Sequence, residues 1–128
     1  KERIVFKGAI ESNNTVYDIL ATSRVFVNPS TKEGGGSITL FEGFGLGLPA
    51  IAFDCKDGID PNLIGHNLRG LLVSEISYQA LGDSISSLIN DKSKLEKMSL
   101  MALAYSKKYD WDIIAEDYLN LFKSIKIK

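Results

Sequence analysis

Four short apolar runs constrain what this chain can fold into: Ile4-Val5-Phe6, Val25-Phe26-Val27, Leu48-Pro49-Ala50-Ile51-Ala52-Phe53 and Leu71-Leu72-Val73. Each is apolar at consecutive positions instead of every second one, as in strands covered on both faces, so they predict a parallel sheet between layers of helix. Turn signals close the first two, Lys7-Gly8 and Asn28-Pro29-Ser30. Between the runs lie helical patterns. Asn14 is placed to cap a helix carrying Val16, Ile19 and Leu20 on one face, and a second helix is expected to start at Ser37 and turn Ile38, Phe41, Phe44 and Gly45 inward.

Beyond Val73 the pattern becomes helical throughout. Leu81, Ile85, Leu88 and Ile89 form one stripe, and Leu95, Met98, Ala102 and Tyr105 a second. Trp111, Ile114, Ala115, Tyr118, Phe122 and Ile125 form a third, expected to pack as core. The fold class predicted is α/β, a Rossmann-like parallel sheet flanked by helices, in one domain over residues 1–128.

Composition narrows the function classes. With 45% hydrophobic and 24% charged residues the chain buries one ordinary core, and a net charge of −1 with both signs interspersed favours neither nucleic acid nor an anionic membrane as partner. Cys55 is the sole cysteine and His66 the sole histidine, which excludes an internal disulfide and a cysteine-cluster metal site. His66 reads as a loop residue and Cys55 as a small buried hydrophobe. No apolar run reaches the roughly 18 to 20 residues of a membrane span, and no leader pattern is present, so a soluble, cytosolic setting is expected. The chain opens at Lys1 within a strand-like run, which reads as a piece of a longer protein.

The chemistry concentrates between Lys32 and Pro49. Gly34, Gly35 and Gly36 adopt conformations closed to other residues and let a ligand approach the main chain. Ser37 is placed to cap the helix that follows, and the amides of that helix's first turn attract an anion. Glu42 lies five residues after Ser37, which is about 7.5 Å along a helix axis. That distance suits a diphosphate at the helix start and two ribose hydroxyls on the carboxylate. Lys32 and Lys56 are candidate phosphate contacts, and Asp54 and Asp57 follow the end of a strand, where ligands of α/β folds collect.

The succession of Val5-Phe6-Lys7-Gly8, Phe26-Val27-Asn28-Pro29-Ser30, a Glu-Gly loop, a helix with an internal Glu, Gly47-Leu48-Pro49-Ala50-Ile51, Gly70-Leu71-Leu72-Val73 and a late Trp helix resembles the C-terminal nucleotide-sugar domain of retaining GT-B glycosyltransferases of family four. Phe53-Asp54-Cys55 followed by Gly58 is similar to members that build bacterial surface polysaccharides. The resemblance implies a donor-binding domain that transfers a hexose from a nucleotide sugar, with retention and without a metal, to a glycan or lipid-linked acceptor. It also implies a missing N-terminal acceptor domain, an inactive isolated chain, and a full-length enzyme in the cytoplasm or at the inner face of the membrane. Two glutamates flank the donor in that family, the first at the sugar and the second on the ribose. Glu42 matches the second, because Gly47-x-Pro49 follows it, and Glu33 stands one residue further from Glu42 than the family's spacing; one inserted residue in the triple-glycine loop returns it to the catalytic place. Ser37, Ile38 and Thr39 then match the amides facing the diphosphate, and Gly8 and Gly34 to Gly36 complete the nucleotide-binding set.

A dehydrogenase-type unit needs Gly-x-Gly-x-x-Gly directly after its first strand, and none follows Phe6. The remaining alternative is a noncatalytic Rossmann-like nucleotide-binding or interaction module. The family's strand order 3-2-1-4-5-6 makes the four runs strands 3, 4, 5 and 6, with strands 1 and 2 lacking. Two open edges result. They are expected to join two copies in a homodimer, or to let Ile4-Phe6 close directly onto Val25-Val27.

Overall fold

The computed structural model of the chain describes residues 4–33 and 37–125. Its elements follow in the order α1 (Asn13–Ala21), β1 (Phe26–Asn28), α2 (Ile38–Gly45), β2 (Ala50–Phe53), α3 (Pro61–Ile64), β3 (Gly70–Val73), α4 (Tyr78–Asn90), α5 (Lys92–Ser106), a 3-10 turn over Lys107–Tyr109, and α6 (Trp111–Ser124). The strands make one parallel sheet in the order β1-β2-β3, with Phe26 opposite Ala50, and Ala50 opposite Gly70. A helix between successive strands lets each re-enter the sheet from the same end.

Successive residues of a strand point to opposite faces, and β2, buried along its whole length, divides the core accordingly. Ala50 and Ala52 pack with Leu40 and Phe44 of α2, Ile59 and Ile64; Ile51 and Phe53 pack on the other face with Leu71, Val73 and Leu88 of α4. Helix α5 closes both layers, giving Ala102 to the first cluster and Met98 to the second. At Gly70 the sheet admits no side chain, because a Cβ there would overlap the backbone carbonyl of Ala50 on the neighbouring strand. Arg69 is buried beside it. Its guanidinium donates to the carbonyls of Leu63 (2.9 Å) and Asn62 (2.6 Å) at the end of α3 and lies 3.8 Å from the ring centre of Tyr105. A buried cation is thereby paired with carbonyl oxygens and an aromatic face.

The fold departs from the sequence pattern at four elements. Ile4, Val5 and Phe6 are 68%, 68% and 92% exposed and belong to no strand, so neither closure onto Val25-Val27 nor a fourth strand is observed. An apolar triplet becomes a strand only beside a partner backbone, and among the described residues none lies there. Helix α1 starts earlier than expected, with Ser12 as its N-cap, because the Ser12 hydroxyl reaches the amide of Thr15. Helix α2 buries Leu40, Gly43 and Phe44, whereas Ile38 is 79% exposed and Gly45 is exposed as well. Finally, α6 keeps its amphipathic spacing but buries no residue, and Trp111 is 83% exposed. The two core clusters are built from the sheet and α2, α3, α4 and α5, and α6 contributes to neither. No helix of the described residues is long and apolar enough to cross a membrane.

Candidate functional site

The loops that leave the carboxyl ends of β1 and β2 are tied together. Asn28, the last residue of β1, is buried, and its side chain serves both directions: Oδ1 accepts from the amide of Ser30 (2.9 Å) and Nδ2 donates to Glu33 Oε1 (3.1 Å). The first bond is the turn that Asn-Pro-Ser promotes; the second holds the Glu33 carboxylate in place. The amide of Glu33 donates to the carbonyl of Asp57 (2.8 Å) in the loop after β2. A cleft of ≈640 Å³ opens beside this junction, lined by Lys32, Lys56, Asp57 and Asp60 among others. Both candidate lysines thus flank one cavity. Asp54 serves the sheet instead, its amide bonded to the carbonyl of Val73 (2.9 Å).

Gly34, Gly35 and Gly36, the centre of the predicted phosphate loop, lie outside the described residues. The chain resumes at Ser37, which occupies the N-cap position of α2 but does not cap it: its hydroxyl lies 2.7 Å from that of Thr39 instead of on an amide. The amide of Leu40 bonds the Ser37 carbonyl (3.1 Å). Among the described residues, the amides of Ile38 and Thr39 have no partner, and they stand at the positive end of α2.

Glu42 projects from the next turn into a second cleft, ≈810 Å³, bounded by Tyr17 of α1, by Ile38 and Phe41 of α2, and by Tyr109 and Trp111 beyond α5. Its Oε1 accepts a long hydrogen bond from the Tyr17 hydroxyl (3.4 Å). Neither cleft is lined by both carboxylates. The glycine loop between Glu33 and Ser37 is what links them in sequence. Gly8 is exposed with φ +66° and touches neither cleft.

The remaining polar groups are architectural. His66 Nδ1 accepts from the amide of Leu72 (3.0 Å) along the outer edge of β3, and Cys55 is half-buried with its thiol 3.9 Å from the Thr31 carbonyl. Among the described residues no group of three or more His, Cys, Asp or Glu side chains is placed to hold a metal ion. Tyr105 has its pKa raised above the ordinary 10.0, first by burial and then by its hydrogen bond with Tyr109, against the opposing pull of Arg69. Sequence reasoning missed Asn28 as the support of Glu33, although an Asn before Pro-Ser at a strand end is a local signal for its turn. The Tyr17–Glu42 and Arg69–Tyr105 contacts join distant segments and leave no local trace.

Comparison with known proteins follows the same outline. A family model described as glycosyl transferases group 1 matches residues 1–91. A probable sucrose-phosphate synthase of Solanum tuberosum is 31% identical over 112 residues, covering 87% of this chain and 10% of its own. The C-terminal domain of a group 1 family glycosyl transferase from Francisella tularensis superposes with a TM-score of 0.64 at 25% identity, over 87% of this chain and 51% of that one. The Anabaena protein HepE, solved in complex with UDP, superposes with a TM-score of 0.70 at 19% identity, over 84% of this chain and 29% of that one. The chain spans between about a tenth and a third of the length of the curated relatives it matches (11%, 10% and 31%).

Proposed function

This chain belongs to the group 1 glycosyl transferases, with the α/β fold of the C-terminal half of a GT-B enzyme, and from that membership we propose that it binds the nucleotide-sugar donor of a hexosyl transfer. Two observations carry the reading: among the described residues the first turn of α2 has no side-chain cap, and at the carboxyl end of β1 buried Asn28 holds the Glu33 carboxylate. In this reading the diphosphate lies on the amides of Gly34 to Gly36, Ser37, Ile38 and Thr39, Glu42 takes the ribose hydroxyls, Glu33 faces the sugar, and Gly8 borders the nucleotide. Charge that grows on the leaving diphosphate as the glycosidic bond breaks meets fixed helix dipoles, which stabilise it without reorganising. The transfer proceeds with retention and without a metal, to a glycan or lipid-linked acceptor held by a part of the enzyme beyond this chain.

Because the UDP complex belongs to a structural neighbour, UDP is the first probe, beside GDP and ADP. Calorimetric titration of the chain is expected to show weak binding of at least one of them and no turnover of the matching nucleotide sugar, since the acceptor side is not assembled. If none binds, the donor reading falls and the noncatalytic module stands in its place.

A further inference from the structure

Asn28 closes β1 in register with Ala52 of β2 and is only 8% exposed, so the sheet fixes its backbone and burial its side chain. Its amide group can stand only one way round. The backbone N–H of Ser30 is a donor, so Oδ1 must face it, and the Nδ2 protons are left for Glu33, whose carboxylate can only accept. Glu33 is held a second time through its own backbone, by the bond to the Asp57 carbonyl (2.8 Å). Both holds come from the carboxyl ends of β1 and β2, so the place of Glu33 does not depend on how many glycines separate it from Ser37. Among the described residues Glu33 Oε2 has no partner. Glu42 differs, its contact among those residues being the long bond from Tyr17 (3.4 Å).

We propose that Asn28 is a positioning residue for the transferred sugar: by engaging Glu33 Oε1 from a buried strand end, it presents Oε2 to the hydroxyls of the hexose. The inference rests on the donor reading and adds to it the residue that orients the carboxylate assigned to the sugar. A glutamate at the edge of a glycine loop turns about several side-chain torsions, and each must be stilled before the carboxylate can bond a hydroxyl. The Asn28 bond stills them before the ligand arrives, so less of the binding is lost to ordering. The residue type follows from the same geometry. A carboxylate in place of the Asn28 amide would keep the Ser30 turn but repel Glu33, and an apolar side chain would serve neither partner.

The experiment titrates the chain calorimetrically with UDP-glucose, UDP-galactose, GDP-mannose and ADP-glucose, each beside its bare nucleotide, and reads the ratio of the two affinities. At least one sugar is expected to bind more tightly than its nucleotide alone. Asn28→Asp should remove that gain, about tenfold in the ratio, the scale for a hydrogen bond to a charged group. In a chain already carrying Glu33→Ala it should remove nothing further. An isotope-labelled parent chain gives a measurement that needs no variant to fold: the nuclear magnetic resonance signal of the Asn28 side-chain amide should shift with the nucleotide sugar and stay in place with the bare nucleotide. A ratio unaltered by Asn28→Asp, a further loss in the Glu33→Ala chain, or a signal that answers both ligands alike overturns the inference. A parent chain that binds nucleotides but gains nothing from any of the sugars overturns it as well, and leaves nucleotide binding standing. A parent chain that binds none of the nucleotides overturns the donor reading itself, and this inference with it.

Discussion

Among the described residues Glu42 keeps most of its hydrogen-bonding capacity unused, because the Tyr17 hydroxyl at 3.4 Å is at the weak end of such contacts. A carboxylate in that state has lone pairs left for a ligand. Glu42→Ala should weaken UDP binding by about 1 to 3 kcal/mol, the scale for hydrogen bonds to a charged group, while the urea midpoint stays put; equal affinity in variant and parent removes Glu42 from the site. Gly70→Ala should act on stability alone. Its added methyl overlaps the Ala50 carbonyl, and separating β3 from the central strand β2 costs about 3 kcal/mol or more, read as a lower urea midpoint. Tyr105 sets a limit at alkaline pH. Its pKa is raised in the folded state, chiefly by burial, so the folded chain holds that proton more tightly than the unfolded one. The resulting stability is complete below the ordinary value of 10.0 and is lost as pH rises through the higher folded value. Tyr105→Phe should flatten that alkaline decline in midpoint, and a decline as steep as the parent's assigns it to other groups. At this scale the sequence is legible where a residue acts on its neighbours, as at Asn28, and silent where it acts across the fold, as at Arg69.

Among the elements, the strands β2 and β3 and the stripes of α4 and α5 were readable because burial on both faces leaves a continuous apolar run, and burial on one leaves a helical period. The same period misled at α6. Apolar spacing records that a helix has a face to bury, not that its own domain supplies the surface, and here α6 joins neither core cluster. Ile4-Val5-Phe6 failed for the matching reason, since three apolar residues name a strand only if a neighbouring backbone pairs with them. A chain ending at Asp110 should therefore unfold in urea with a midpoint displaced by no more than about 0.5 kcal/mol of stability, the effect of changes at an exposed surface. A large loss of cooperativity would mean that α6 covers part of the core after all.

The molecule as a whole has two sheet edges, and they are treated differently. Along β3 the outer edge is occupied: His66 bridges to Gly70, the amide of Asn67 reaches the Gly70 carbonyl (2.9 Å), and Leu72 donates to His66 Nδ1. Along β1 no strand pairs with the outer edge among the described residues. The amide of Phe26 points inward, to the carbonyl of Pro49 (2.9 Å), so by the alternation of a strand the amide of Val27 points outward. A short apolar edge with an available donor is a template for another chain, and a second copy is always at hand in a concentrated solution. Sedimentation at rising concentration should therefore show the parent chain moving from monomer toward dimer. Val27→Pro removes the outward donor and leaves the inward bond of Phe26 in place, because proline is tolerated on an edge strand where its missing N–H faces away from the sheet. That variant should stay monomeric at concentrations where the parent associates, and a parent that sediments as a monomer throughout would show that the open edge of β1 is not where copies of this chain meet.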